Sequence, residues 1–459
     1  MEINEQVEKE NFYSLKRTIS YLLTSNLFNF TLVFFSSLII FREIDRNEYG
    51  LYILMVSFIA ITELFMGGYN QAITRYLKEK IPLIDKQHIV LYSIYYKYGI
   101  LLVFSFIVLA IIQFGLIKYI INDYSLIETV VDKYIVVILL SSIVSILSGV
   151  SVAILTALQN YKIVNNSLII KNLIYLIFVI CLIYITNNYI VFLYVSLILN
   201  FLLFIYYAIK LNLIFPEYSL VILLRTKLDL SIYKKYLFSY ATPLTTISLL
   251  SYTKNHLPII ILGKEFELSD LAVFSIIKKF FKTLHTISGS FLQPLLSKFI
   301  EMKNNNILYY KYALNNLYYY TLIARIVIYL SLMLVSDYFF LIYKIEILSL
   351  YTFSFAVLGF EFVLAGIMSL FGTILNTNKS TKKLLFISSI RFTLEIILIY
   401  YLLIDYGIVA AVLILLMSRY FEIIIAYLFV RREKIISMLS LHIIIILPFI
   451  MYSAYKGFF

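Results

Sequence analysis

Residues 41–79 read FREIDRNEYGLYILMVSFIAITELFMGGYNQAITRYLKE, and residues 263–301 read GKEFELSDLAVFSIIKKFFKTLHTISGSFLQPLLSKFIE. At a constant offset of 222, with no gap, Arg42 falls on Lys264, Glu43 on Glu265, Glu48 on Asp270 and Tyr52 on Phe274. Phe58 falls on Phe280, Gly67 on Gly289, Gln71 on Gln293 and Glu79 on Glu301. Apolar coincidences between membrane helices carry little weight, whereas the polar and glycine matches carry more. Each copy is a short charged loop, an apolar descending helix, a glycine and a polar exit. An even number of spans separates the copies, which makes this a parallel repeat and points to two similar halves.

Composition fixes the solvent of those helices. Of 459 residues, 62% are hydrophobic and 14% charged, and the mean hydropathy is +0.92. A soluble domain carries roughly 45–50% apolar and about 25% charged residues. A soluble enzyme is excluded, and so is a disordered chain, since apolar runs fill the sequence from end to end. Stretches of ~18 or more apolar residues read as membrane helices. The expected spans are 18–41, 50–67, 98–117, 134–156, 168–186 and 189–209, then 238–262, 270–295, 313–335, 350–374, 384–404 and 407–430. A further apolar stretch, 437–455, contains His442 and Pro448 and brings the count to 12 or 13. The expected fold is all-α and polytopic. It has a six-helix lobe at 1–209, a basic linker at 210–236, a second six-helix lobe at 237–430 and a tail at 431–459. The polar start of the chain and the length of the first apolar run argue for an uncleaved first span rather than a signal peptide.

Lysine and arginine set the orientation. With the N-terminus cytoplasmic, the inner segments carry 25 of the 38 Lys and Arg residues and the outer segments 7, the latter including Arg42 and Arg46. That asymmetry accounts for the net charge of +12 without nucleic acid. Trp is absent and Tyr occurs 42 times, so tyrosines supply the interfacial anchors, with clusters at 92–98 and 309–320. The single cysteine, Cys181, rules out an intrachain disulfide and a Cys-based metal site.

Ionisable groups at membrane depth cost ~2.5–3.5 kcal/mol each on insertion scales, so each one marks a cavity or a partner. The eighth span holds Lys278, Lys279, Lys282 and His285. Lys278, Lys282 and His285, at i, i+4 and i+7, share one helical face. Positive walls around a wet cavity would attract an anionic substrate; acids on neighbouring helices would instead neutralise them. Lys254, flanked by Asn255 and His256, and Arg325, near the middle of the ninth span, are further cavity candidates. Arg325 also has Glu361 as a candidate ion-pair partner. Arg391 with Glu395, and Arg419 with Glu422, are spaced to neutralise each other along single helices. Asn26, Asn29 and Glu63 are polar groups expected to face the bundle interior, Glu63 as a proton or cation site. No GxxxxGKS/T loop, HExxH pair or Cys/His cluster is present, so no catalytic residue, metal or cofactor is expected.

Two stretches carry a family resemblance. The first is the charged loop leading into Glu48-Tyr49-Gly50-Leu51-Tyr52, followed by a glycine pair and a polar run into Arg75-Tyr76. It resembles the N-terminal signature of the polysaccharide biosynthesis proteins, the O-antigen and lipid-linked oligosaccharide flippases of the multidrug/oligosaccharidyl-lipid/polysaccharide exporter superfamily. The second, LPIIILGKEFELSDLAVFSIIKKF, is similar to the family's seventh-to-eighth span region. Here Asn255-His256 stand in place of an aspartate, and Ala272 in place of a glycine. The resemblance implies two six-helix lobes around a partly cationic cavity, in a bacterial inner membrane. It implies an undecaprenyl-diphosphate-linked oligosaccharide as substrate, moved by alternating access among membrane lipids and alongside polymerase or ligase machinery. It makes Lys278, Lys279 and Lys282 the leading diphosphate contacts, with Arg42 and Arg46 behind them. Two rivals remain. A multidrug or cation antiporter of the same fold would favour buried acids over buried bases, and a membrane polymerase or ligase would need a long external loop with catalytic bases.

Overall fold

The structure is a computed structural model that describes residues 2–64, 67–77, 82–113, 124–158, 160–186, 190–218, 231, 233–265, 267–289, 307–378 and 380–431. Among these residues the chain is helical, with no strand. The first half comprises α1 (Glu2–Glu43), α2 (Arg46–Leu64), α3 (Gly67–Tyr76), α4 (Leu83–Gln113), α5 (Tyr124–Ala157), α6 (Tyr161–Ile183) and α7 (Ile190–Ile214). After a 3₁₀ turn at Pro216–Tyr218 and a π turn at Tyr233–Phe238 come α8 (Ser239–Glu265), α9 (Leu268–Gly289) and α10 (Ile307–Leu334). The chain continues through α11 (Ser336–Ile342), α12 (Ser349–Thr377), α13 (Thr381–Leu398), a π turn at Ile399–Leu403 and α14 (Ile404–Val430).

The helices follow from the solvent. Without water, backbone N–H and C=O groups must pair within their own segment, and an α-helix satisfies all of them. Eight helices among the described residues are long and apolar enough to cross a membrane: α1, α5, α6, α7, α10, α12, α13 with its π turn, and α14. Their burial separates core from periphery. In α12, 78% of the apolar window is buried, against 17% in α6, so α12 is a core helix and α6 turns most of its surface outward.

The 222-residue offset reappears in the backbone. α1 ends at Glu43 and α8 at Glu265, while α2 begins at Arg46 and α9 at Leu268. The halves meet along these repeated elements, with α2 packed on α8 and α9, and α3 on α8. At one end of the seam the approach is close: a Cβ on Gly50 would lie 2.2 Å from the carbonyl oxygen of Leu268. Only a residue without a side chain fits there. At the same end Arg46 donates to the carbonyl of Lys344 at 2.7 Å, and the Lys344 ammonium lies 3.6 Å from Glu43. Lys344 holds φ at 52°, a left-handed conformation rare outside glycine. Tyr351 donates to Asp270 at 2.6 Å.

Several helices begin before their expected spans, α1 at Glu2 and α5 at Tyr124 among them. α4 begins at Leu83 and α6 at Tyr161, well before the expected starts at 98 and 168. Both extensions are polar, and hydropathy alone stops short of them. The stretch 437–455 lies outside the described residues.

Candidate functional site: a lysine-lined cavity at the seam

Four first-half helices and one helix of the second half enclose a cavity of about 160 Å³. α1 contributes Val33, Ser36, Ser37 and Ile40, and α2 contributes Tyr49 and Tyr52. Lys171, Asn172 and Tyr175 come from α6, Ser196 and Leu199 from α7, and Lys279 reaches in from α9. Hydroxyls, amides and ammonium groups make up its polar lining among the described residues, and no described carboxylate is among them.

Local pairing explains why these groups point inward. Along the α1–α6 contact, Tyr21 donates to Asn166 at 2.6 Å, Asn165 to Ser25 at 3.0 Å and Asn172 to Asn29 at 3.1 Å. The α1 members recur every four residues, which puts them on one face. This polar strip binds α6 to α1 and leads up to the cavity. There Lys279 Nζ donates to Ser37 Oγ across the seam at 2.6 Å, and Lys171 Nζ donates to Asn200 Oδ1 at 3.2 Å. The Tyr49 side chain is 1% exposed, and its hydroxyl has no hydrogen-bond partner among the described residues. A smaller apolar pocket adjoins on the other side of Lys279, lined by Phe30, Phe34, Ile276, Phe280 and Tyr343.

The other expected site residues disperse. Lys279, rather than Lys278 or Lys282, lines the two cavities described here. Lys278 Nζ lies 5.6 Å from the centre of the Phe274 ring, and Lys282 is exposed. The shared face of Lys278, Lys282 and His285 lines neither of these two cavities. His285 Nδ1 lies 3.0 Å from Arg325 Nη1. Asn29 belongs to the polar strip, and Asn26 is half-buried on the same helix. Arg42 lies 3.6 Å from Glu43 and is about half exposed, and Arg46 is held by Lys344. The side chains of Lys254 and Glu63 lie outside the described residues.

Inside the second half, charges cancel. Arg391 contacts Glu395 at 2.9 Å and also Glu422, while Arg419 contacts Glu422 at 2.6 Å and Glu361 at 2.7 Å. The two single-helix pairs expected from spacing are present, and they join into one network across α12, α13 and α14. The expected Arg325–Glu361 ion pair does not form. Glu361 pairs with Arg419, and Arg325 donates instead to the Phe362 carbonyl at 2.7 Å and to Ser288 Oγ at 2.6 Å. Arginine's planar fork suits such multiple, buried contacts.

Lys171 is the residue that sequence reading missed. With the expected fifth span starting at 168, Lys171 reads as one of the flanking charges at its inner end. Its neighbours Asn165, Asn166 and Asn172 gave the available signal: amides at helical spacing ahead of an apolar run mark a polar face, not a loop.

Neither a protein-family model nor a curated protein sequence matches this chain. Solved structures do match. An inward-facing multidrug resistance MATE family transporter of the MOP superfamily superposes with a TM-score of 0.69 at 12% identity, covering 88% of this chain and 95% of that one. The lipid II flippase MurJ, in an inward closed conformation, gives 0.66 at 15% identity, covering 95% and 92%. A MOP superfamily transporter from Pyrococcus furiosus gives 0.65 at 12% identity, covering 92% and 97%. The chain has the fold shared by these MOP-superfamily transporters.

Proposed function

We propose that this protein is a flippase that carries an undecaprenyl-diphosphate-linked oligosaccharide from the cytoplasmic to the outer leaflet of a bacterial inner membrane by alternating access. One observation carries the reading. A polar cavity at the meeting of the two halves holds Lys279, with no carboxylate among its described lining residues. Buried ammonium groups without a counter-charge cost several kcal/mol together, and a diphosphate headgroup supplies the missing charge when it binds. Charge-assisted N–H···O bonds to phosphoryl oxygens are among the strongest available. The MurJ likeness supports a lipid-linked substrate, and the repeated helices support two lobes, 1–209 and 237–430, that rock about the seam. The N-terminus is then cytoplasmic, and the Gly50 end of the seam faces outward.

The multidrug reading has equal support from fold, and site charge discriminates between the two. A cationic drug needs an unneutralised acid. The mid-span glutamates described in the second half, Glu361, Glu395 and Glu422, are tied to arginines, while the cavity is basic. The test is Lys279→Gln in the host strain, with the protein's membrane level checked by immunoblot. Surface polysaccharide is lost and the lipid-linked intermediate accumulates if the reading holds. Unchanged glycan accompanied by lost resistance to cationic compounds would overturn it in favour of the antiporter.

A further inference from the structure

We infer that Lys171 and Tyr49 complete, with Lys279, a binding site for a phosphoryl dianion that is gripped by both halves of the protein at once. The inference rests on the flippase reading and deepens it, because it names the residues of the first half that hold the headgroup.

Depth is the first argument. Lys171 lies ten residues beyond the start of α6 at Tyr161, roughly 15 Å along the axis at 1.5 Å per residue. A lysine at that depth could snorkel towards water, yet its Nζ stays 3.2 Å from Asn200 Oδ1 on α7. That neutral oxygen uses one of the ammonium's three donors. No carboxylate among the described residues forms an ion pair with it.

Convergence is the second. Lys171 from α6, Tyr49 from α2 and Lys279 from α9 line one cavity, and the buried Tyr49 hydroxyl has no partner among the described residues. A buried hydroxyl left without a partner is costly, and an oxyanion accepting from it removes that cost. Two positive charges and only donor-capable neighbours select a doubly charged acceptor over a cation or a sugar hydroxyl. Size agrees: a cavity of about 150 Å³ takes a benzene-sized guest, and about 160 Å³ here is room for a phosphoryl headgroup.

The geometry also divides the work. Lys279 belongs to the second half and already spans the seam to Ser37, while Lys171 and Tyr49 belong to the first. A dianion between them replaces the like-charge repulsion of two ammonium groups with attraction to each, so a loaded site draws the halves together.

The experiment is calorimetric titration of the purified, detergent-solubilised full chain with inorganic pyrophosphate and, separately, with farnesyl diphosphate. Lys171→Gln is expected to weaken binding roughly tenfold or more, as loss of one charge-assisted bond does. Lys171→Arg should keep most of the affinity, and Tyr49→Phe should weaken it several-fold. Wild-type affinity in Lys171→Gln alongside lost affinity in Lys279→Gln would overturn this inference and leave the flippase reading standing. Absence of binding by the wild-type chain to either probe would overturn both. If Lys171→Gln does not fold, Tyr49→Phe, which removes a single oxygen, decides: unchanged affinity overturns the three-residue site. Tighter binding of the prenyl probe marks a lipid headgroup as the ligand, and equal binding marks free pyrophosphate; both support the dianion site.

Discussion

Gly50→Ala tests whether the seam between the halves is a moving part. The added methyl group would sit 2.2 Å from the carbonyl oxygen of Leu268 and 2.9 Å from its carbonyl carbon. Real Cβ contacts essentially never fall below 3.0 Å, so the starts of α2 and α9 must part by about 0.8 Å, the difference between 3.0 and 2.2. The obstacle is backbone rather than the tip of a flexible side chain, so it cannot swing aside. Overpacking of this kind costs about 1–3 kcal/mol. If that strain falls only on the conformation with this end closed, the open form gains roughly 5- to 150-fold in relative population. The assay uses a Cys181→Ser background, because Cys181 is exposed, with Leu54→Cys as reporter. Leu54 lies one turn beyond Gly50 on the same face and is 0% exposed. An impermeant maleimide added from outside should label it several-fold faster in Gly50→Ala than in the Gly50 parent. Equal labelling rates together with undiminished transport would refute the assignment of this contact as a gate.

Two further outcomes follow from the charge and backbone geometry. Arg391→Ala leaves Glu395 as an uncompensated buried charge and Glu422 with Arg419 as its remaining partner, and breaking such a pair costs about 3–5 kcal/mol. A large drop in the thermal unfolding midpoint in detergent is expected, and an unchanged midpoint would show that the network contributes nothing net. Lys344→Gly relieves the left-handed strain at φ 52°, worth about 1–2 kcal/mol. It sacrifices an ion pair with Glu43 whose members are 52% and 44% exposed, worth at most about 1 kcal/mol after solvent screening. The unfolding midpoint should stay level or rise, and a clear fall would mean that the Lys344 side chain holds more than Glu43.

The helices were legible because hydropathy reports the solvent directly, and the 222-residue repeat placed the α1–α2 and α8–α9 boundaries. The candidate site was only partly legible. Three lysines of α9 were singled out from depth alone, and depth does not say which side of a helix meets a cavity. That depends on neighbours such as Ser37, more than two hundred residues away. Lys279 enters the cavity while Lys278 rests on Phe274. Lys171 was hidden for a different reason: a polar helix face resembles a loop to a hydropathy window, and its charge was counted as an anchor. Arg325 and Glu361 illustrate a third limit. Both are at mid-span, but α14 brings Arg419 closer to the acid, a consequence of packing that no local spacing reveals.

Arg391 and Arg419 with Glu361, Glu395 and Glu422 leave one net negative charge, which Arg325, bonded to Phe362 and Ser288, offsets, and this balance has an electrical consequence. That cluster feels no net force from a voltage across the bilayer when it rocks, so the lysines carry the displaceable mid-depth charge. On the site inferred here, the lysines at the seam remain as displaceable charge: two positives when empty, none when a dianion is bound. A voltage of 100 mV acts on each uncompensated charge with about 2.3 kcal/mol over a full crossing. Voltage would therefore act more strongly on the return of the unloaded carrier than on the loaded step.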